Sequence, residues 1–244
     1  MENNNYSKVK DNIVKNKKKI KFRIDSKNVV NVLDRTTVHM YINPHFIYIN
    51  NLISPEYYDK IYEKISKECQ HSTMEMYGKK YKTKKRSLSL LDIESVEKKL
   101  NAATSKLNES IGIVINNKNI RNMNDYEEIM YLKKSIEKMF GYKYDYCLVN
   151  IYDDGNNYIP YHSDKDIGNK NIFSISLGAT RKFRLRKKSK TKGFDYEFQM
   201  ESGDAILMLG PNSNNNMQGC QQVYKHSVPK ERKVKKSRIN LTFR

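Results

Sequence analysis

The spacing of hydrophobic residues changes character near the middle of the chain. Up to about residue 141, apolar residues recur three and four positions apart, which predicts amphipathic helices. The first helix follows Ser54-Pro55, where the serine supplies an N-cap and the proline suits a first turn. Its apolar face comprises Tyr58, Ile61, Tyr62, Ile65 and Cys69. The apolar face of the second comprises Val96, Leu100, Ala103 and Leu107. A third opens with the capping-box pair Asn124 and Glu127 and ends at Gly141.

Short runs typical of β-strands dominate from Tyr142 onward. They cover residues 144–152, 158–162, 172–177, 182–186, 194–200, 205–209, 223–228 and 238–243, and an earlier strand is predicted at 45–49. Short strands in this number, with turn residues between them, predict a double-sheet jelly roll, also known as a double-stranded β-helix. The helices precede the strands and do not alternate with them. A doubly wound α/β fold is therefore disfavoured, and the predicted class is α+β.

Three regions follow from these patterns. Residues 1–43 are rich in lysine and asparagine, with a dense basic run from Lys15 to Lys21, and we expect them to form a mobile basic arm. Residues 44–141 would supply a helical support. Residues 142–244 would form the jelly-roll core.

The chain is strongly basic, with a formal net charge of +19. An excess this large attracts polyanions. Basic side chains that bind phosphates displace the counterions condensed there, and the release of these counterions favours binding. We therefore expect nucleic acid, either DNA or RNA, as the partner. An alternative source of the charge is codon bias, since lysine and asparagine codons are AT-rich.

Nothing in the sequence predicts secretion or a membrane span. No apolar run approaches the roughly 20 residues that cross a bilayer, and the N-terminal residues do not resemble a signal peptide. Cys69, Cys147 and Cys220 lie far apart, which argues against a disulfide framework and against a cysteine zinc site. We expect a monomeric intracellular protein of the cytoplasm or nucleus, with no membrane partner.

A candidate metal centre begins at His162-Ser163-Asp164. Residues two apart in a strand project to the same face, so an imidazole and a carboxylate converge there. A catalytic metal needs a third protein ligand, and His226 is the candidate. Two histidines and one carboxylate match the facial triad of non-haem Fe(II) oxygenases, with zinc as the rival metal.

The C-terminal segment alternates strictly between polar and apolar residues. One face would carry Arg238, Asn240, Thr242 and Arg244. Arginine offers a rigid fork that matches a carboxylate, so this face would suit a dicarboxylate if it lay inside a jelly roll. Asn150 and Tyr152 share one face of another strand and could complete such a site. The alternative is a solvated edge strand.

In order and spacing, these motifs resemble the AlkB family of Fe(II)- and 2-oxoglutarate-dependent dioxygenases. The matching segments are N-x-Y at 150–152, H-x-D at 162–164, Ser174 to Ala179, Gly203 to Met208, His226-Ser227-Val228-Pro229 and R-x-N-L-T-F-R at 238–244. The likeness is strong from Tyr144 to Arg244. It is weaker from Tyr41 to Asp92, where Met76-Tyr77-Gly78-Lys79 looks like the family's nucleotide-recognition lid.

The resemblance implies a role for each matching residue. The ligands of Fe(II) would be His162, Asp164 and His226. The contacts of the cosubstrate 2-oxoglutarate would be Arg238, Asn150, Tyr152 and Asn240, with Arg244 orienting its metal-side carboxylate and Asp164. The contacts of the nucleic acid would be Tyr77, Lys79, Arg86 and Asp166, and the Asp166 carboxylate would take part in catalysis by contacting the damaged base.

The implied activity is oxidative demethylation of alkylated nucleic-acid bases, which consumes O2 and 2-oxoglutarate and releases formaldehyde, succinate and CO2. One departure concerns the aromatic residue that stacks on the flipped base in the family, because Ser87-Leu88-Ser89-Leu90-Leu91 stands in its place. Two alternatives therefore stay open. One is a protein or small-molecule hydroxylase on the same scaffold. The other is a non-catalytic nucleic-acid-binding module, against which the complete triad and the two arginines count.

Overall fold

The computed structural model describes residues 39–76, 79–101, 120–164, 170–212 and 216–244. The strands are β1 (His39–Asn43), β2 (Phe46–Asn50), β3 (Gln70–Met76), β4 (Lys79–Leu91), β5 (Ile120–Asn122), β6 (Tyr146–Tyr152), β7 (Ile159–His162), β8 (Ile172–Gly178), β9 (Arg181–Lys187), β10 (Tyr196–Met200), β11 (Ala205–Met208), β12 (Tyr224–Val228) and β13 (Arg238–Phe243). The helices are α1 (Tyr57–Ile65), α2 (Ile93–Asn101), α3 (Glu127–Phe140) and the short α4 (Cys220–Val223). None of the helices in the described part of the chain is long and apolar enough to cross a membrane.

The strands form two sheets that face each other. The larger sheet has the order β1-β2-β11-β8-β13-β6-β4-β3, with β5 paired to β4, and the smaller has the order β10-β9-β12-β7. Neighbours within the roll are antiparallel and largely non-consecutive in sequence, as in a double-stranded β-helix. The predicted α+β jelly roll is therefore confirmed, and β1 to β4 extend its larger sheet at both ends.

Strand β13 lies in the middle of the larger sheet, between β8 and β6, and both of its faces are buried. Ile239, Leu241 and Phe243 pack into the apolar layer that α1 and α3 cover. Arg238 and Asn240 alternate with them and face the second sheet. The solvated edge strand is therefore excluded, and the polar face of β13 lies inside the roll.

Three predicted boundaries are wrong in detail. His39–Asn43 was expected in the arm but pairs with β2 as a strand, while residues 1–38 lie outside the described residues. Helix α1 begins after Ser54-Pro55, which form the preceding turn. The expected capping box at α3 is absent among the described contacts, because Tyr126 is the N-cap and makes no side-chain capping bond. The end of α3 at Gly141, in the left-handed conformation, is confirmed.

A close backbone contact joins the turn after β6 to the segment that leads into β13. The Gly155 N–H donates to the Val234 carbonyl at 2.9 Å, and the Glu231 N–H donates to the Gly155 carbonyl at 2.8 Å. A Cβ atom at Gly155 would lie 1.7 Å from the Glu231 carbonyl oxygen, so only glycine fits. This contact fixes the ends of β6 and β13 that carry Tyr152 and Arg238.

Candidate active site

His162 and His226 are direct cross-strand partners on β7 and β12. Their ring centroids lie 4.2 Å apart. Asp164 follows β7, and its carboxylate oxygens lie 3.7 Å from His162 Nε2 and 3.9 Å from His226 Nε2. One potential ligand atom from each residue thus lies within 4.8 Å of the other two. Two imidazole nitrogens and one carboxylate oxygen at this spacing can hold a divalent metal ion from one side.

Neighbouring groups fix the orientation of these three side chains. His162 Nδ1 lies 2.9 Å from the Pro160 carbonyl oxygen, which can only accept. Nδ1 therefore carries a hydrogen, which leaves Nε2 as the ring nitrogen that is available to a metal ion. The His226 ring stacks on Phe183 with a centroid distance of 5.6 Å. The Asp164 backbone N–H donates to Gln221 Oε1 at 3.0 Å, which anchors the residue after β7 ends.

The protonation state of His226 also suits a metal ligand. Burial, with smaller contributions from the nearby His162 and Arg244, lowers the pKa of His226 to about 3, although Asp164 opposes the shift. The ring is therefore neutral at physiological pH. Only the neutral imidazole can bind a metal ion.

Arg244 completes the metal side of the site. Its Nη2 lies 3.1 Å from Asp164 Oδ1. Its backbone continues the β13–β6 ladder, because the Arg244 N–H donates to the Tyr146 carbonyl at 2.9 Å. Its Nε is buried and has no hydrogen-bond partner among the described residues. Arg244 can therefore orient Asp164 and still donate to an anion.

Arg238 lies deeper in the roll and is 2% exposed. Its Nε donates to Ser176 Oγ at 2.8 Å, and its guanidinium carbon lies 5.0 Å from the ring centroid of Tyr152, its partner on β6. Burial lowers the pKa of Arg238 to about 10, so the group stays charged at neutral pH. Its Nη1 is buried and without a hydrogen-bond partner in the described part of the chain. An unpaired buried donor on a cation is costly, and a carboxylate would satisfy it.

Asn240 and Asn150 are cross-strand partners one step nearer the metal side. Asn240 Nδ2 donates to Ser174 Oγ at 2.7 Å and to the Ile175 carbonyl at 2.9 Å, so its amide is largely engaged by the protein. The Asn150 side-chain oxygen accepts a hydrogen bond from Lys85 Nζ. Asn150 is therefore hydrogen-bonded to a cation, Lys85, that the sequence motifs do not assign to this site.

The structure brings together the residues predicted for the metal and for 2-oxoglutarate, but it does not place all of the predicted nucleic-acid contacts. Tyr77 and Asp166 lie outside the described residues. The backbone of Lys79 pairs with that of Met76, so β3 and β4 form an antiparallel hairpin. Arg86 donates to the Asp153 carboxylate and to the Ser66 carbonyl, which ties β4 to the end of α1. Arg86 is therefore not among the nucleic-acid contacts that we propose.

Sequence reasoning missed Lys85 and underrated the serines of β8. Ser174 and Ser176 accept the bonds from Asn240 and Arg238. Their signal is visible, because two serines alternate with isoleucine and leucine in an otherwise fully buried strand. Lys85 gave no such signal, since it is one lysine among several in β4.

A double-stranded β-helix that holds a His/Asp/His cluster and a buried, partly unpaired arginine defines a class of enzyme, the non-haem iron dioxygenases that use 2-oxoglutarate. The chain belongs to the 2OG-Fe(II) oxygenase superfamily, whose family model matches residues 45–244. Fe(II) and 2-oxoglutarate are its cofactor and cosubstrate.

The relatives that the chain matches include AlkB homologues, so the predicted AlkB resemblance is confirmed. Alpha-ketoglutarate-dependent dioxygenase alkB homolog 3 of Bos taurus is 32% identical over 126 residues, which are 48% of this chain and 41% of that protein. DNA oxidative demethylase ALKBH2 of Bos taurus is 28% identical over 123 residues, 46% of this chain and 41% of that protein. The chain thus spans less than half the length of these relatives. The solved structure of OsALKBH1 has a TM-score of 0.54 at 17% identity and covers 85% of this chain and 99% of that one, which confirms the fold.

Proposed function

We propose that this protein is an oxidative demethylase of alkylated nucleic-acid bases, in which His162, Asp164 and His226 hold Fe(II). One observation carries the proposal. The three candidate ligand atoms lie within 4.8 Å of one another, inside the same roll that buries Arg238 with an unpaired Nη1. The roll thus offers one site that suits a metal ion and another that suits a carboxylate of a dicarboxylate. A 2-oxoglutarate dioxygenase needs both sites.

Each polar residue of the site would have one task. Arg238 and Tyr152 would hold the distal carboxylate of 2-oxoglutarate, with Asn240 keeping the strand register around it. Arg244 would donate to the metal-side carboxylate while it fixes Asp164. When bound, the iron centre couples the oxidation of 2-oxoglutarate by O2 to the oxidation of an N-methyl group, which leaves as formaldehyde beside succinate and CO2.

Three observations support nucleic acid as the substrate. The formal charge of +19 favours a polyanionic partner. The relatives include proteins named DNA oxidative demethylase. The β3–β4 hairpin joins Met76 to Lys79 in a segment with several lysines, and Tyr77, Lys79 and the catalytic candidate Asp166 are the contacts we propose for the nucleic acid.

The experiment is a substrate panel under turnover conditions. The purified protein receives Fe(II), 2-oxoglutarate and O2 with methylated single-stranded DNA, the same lesion in a duplex, methylated RNA or a peptide mixture. Loss of the methyl group is followed by mass spectrometry and formaldehyde by a chemical trap. We expect demethylation of at least one nucleic acid and none without 2-oxoglutarate.

The alternatives give different results in the same panel. Hydroxylated peptides without any demethylated nucleic acid would identify a protein hydroxylase and contradict the proposal. Binding of oligonucleotides without consumption of 2-oxoglutarate would identify a non-catalytic binding module. The His226→Ala protein serves as the inactive control for every substrate.

A further inference from the structure

Strand β4 has a bulge at Thr83, Lys84 and Lys85. Between the register pairs His71–Arg86 and Thr73–Lys82, strand β3 has one residue and β4 has three. His71 Nδ1 lies 2.9 Å from the Thr83 carbonyl oxygen, and Thr83 Oγ1 donates to the Lys85 carbonyl at 2.8 Å. These bonds stabilise the bulge. The bulge leaves Lys85 outside the register pairs that β4 forms with β3.

Lys85 points into the roll although its neighbours do not. Leu88 and Leu90 of β4 pack into the layer that the helices cover. Because side chains alternate along a strand, the odd-numbered positions of β4 face the interior of the roll. Lys85 belongs to that interior set. Its Nζ donates to the side-chain oxygen of Asn150 on β6. Lys84, one position earlier, is exposed, whereas Lys85 is partly buried.

The electrostatic surroundings of Lys85 identify the end of the site that it reaches. Burial and, to a smaller extent, the nearby Arg244 lower the pKa of Lys85, and its net value is about 8. Asp164 acts in the opposite direction. Lys85 and Arg244 thus bring two cations to the metal side of the roll, and the Asp164 carboxylate acts on both. An anion between them would relieve this repulsion.

We propose that Lys85 binds the metal-side carboxylate of 2-oxoglutarate together with Arg244. Arg238 binds the distal carboxylate. The site therefore offers one cation to the distal carboxylate and two cations to the metal-side carboxylate. The Asn150 side chain holds the ammonium in place through their hydrogen bond. The inference rests on the dioxygenase class and on the assignment of Arg238, and it is independent of which substrate the enzyme demethylates.

The test compares two ligands on the Mn(II)-substituted protein, which cannot turn over. Calorimetry measures the affinity for 2-oxoglutarate and for 2-oxopentanoate, which keeps the metal-side keto acid but lacks the distal carboxylate. Lys85→Met, which keeps the side-chain length and removes the charge, should weaken both ligands by roughly tenfold or more. Arg238→Lys should weaken 2-oxoglutarate only. Lys84→Ala is the matched control and should bind both ligands as the wild type does.

Two results would overturn the inference. Unchanged affinities in Lys85→Met would remove the ammonium from the site. A loss confined to 2-oxoglutarate would assign Lys85 to the distal carboxylate. Lys85→Arg keeps the charge and should retain most of the affinity, which separates a role in binding from a role in folding. If the wild type binds neither ligand, the dioxygenase assignment itself fails, and that outcome is distinct from a failure of Lys85 alone.

Discussion

Arg238 and Arg181 contact the same ring, that of Tyr152, with guanidinium carbons 5.0 and 5.5 Å from its centroid, but their surroundings differ. Arg181 is 1% exposed, and its guanidinium donates to the Asp154, Asn157 and Pro229 carbonyls and to the Glu231 carboxylate. Arg238 keeps a buried Nη1 with no partner among the described residues. Arg181 therefore stabilises the fold, and Arg238 is placed to bind a ligand.

Lysine substitutions at these two arginines should affect different properties, cosubstrate binding at Arg238 and stability at Arg181. Arg238→Lys should raise the KM for 2-oxoglutarate by roughly tenfold or more, because an ammonium cannot reproduce the planar fork. Its melting temperature should change little. Arg181→Lys should lower the free energy of unfolding by roughly 2 kcal/mol or more, because a single ammonium cannot replace the guanidinium bonds to three carbonyls and to the Glu231 carboxylate.

Kinetics and thermal unfolding of both variants check this pair of expectations. An unchanged KM for 2-oxoglutarate in Arg238→Lys would remove Arg238 from the cosubstrate site. A large loss of stability in that variant, equal to that of Arg181→Lys, would make Arg238 structural.

The pH dependence of cosubstrate binding should report Lys85. The groups that face it are Asn150, Arg244, Asp164 and Cys69, and burial raises the pKa of the Cys69 thiol to about 12, so Cys69 stays neutral in the relevant range. The pKa of Lys85 is about 8, and a dianion prefers the charged ammonium. Affinity of the metal-free protein for 2-oxoglutarate should therefore be constant below that pH and weaken as the pH rises through it.

Calorimetric titrations of the wild type and Lys85→Met over the same pH series measure this effect. The variant should lack the decline. Parallel profiles for the two proteins would show that another group titrates.

Asp166 should distinguish substrate recognition from oxygen chemistry. The residue follows Asp164 by two positions and lies outside the described residues, so its role is a prediction from the motif. Asp166→Ala should reduce demethylation much more than the uncoupled decarboxylation of 2-oxoglutarate. Both rates can be measured in one reaction as formaldehyde and CO2. Equal losses would contradict a role in contacting the base.

Tyr77 should matter most for duplex substrates. It lies between Met76 and Lys79, which pair at the end of the β3–β4 hairpin. A side chain that fills the gap left by a flipped base stabilises duplex complexes, whereas a single strand needs no such filling. Tyr77→Ala should therefore lose roughly tenfold or more on a methylated duplex and much less on the single strand. Paired initial rates on the same lesion test this, and parallel losses would contradict it.

Much of the catalytic side of the molecule could be predicted from the sequence because its signals are periodic. Strict alternation in β13 separated Arg238 and Asn240 from the apolar face, and the two-residue spacing of His162 and Asp164 predicted their convergence. His226 is distant in sequence, and the β7–β12 register that pairs it with His162 was not readable from composition. The motif resemblance supplied that link.

The missed features depend on irregular backbone and on long-range contacts. Lys85 has the parity that faces the interior of the roll, but it is one of several lysines beside a bulge in β4, so the sequence pattern did not distinguish it from Lys84. The resemblance assigned Arg86 to the nucleic acid, whereas in the structure Asp153, far along the chain, pairs with its guanidinium. Strand β1 was predicted as part of the basic arm because the residues before it are rich in lysine and asparagine. In the structure its pairing with β2 outweighs that polar composition.

The most direct test of the central claim measures bound iron, succinate and formaldehyde together on a methylated oligonucleotide. We predict that the wild type binds iron and releases formaldehyde and succinate in equal amounts. His226→Ala should lose both the iron and the turnover with nearly unchanged thermal unfolding. His45→Ala is the matched control, because His45 contacts the Gln218 carbonyl and lies outside the metal cluster, and it should behave as the wild type does. Near-wild-type activity in His226→Ala, or succinate without formaldehyde on every methylated oligonucleotide, would contradict the account.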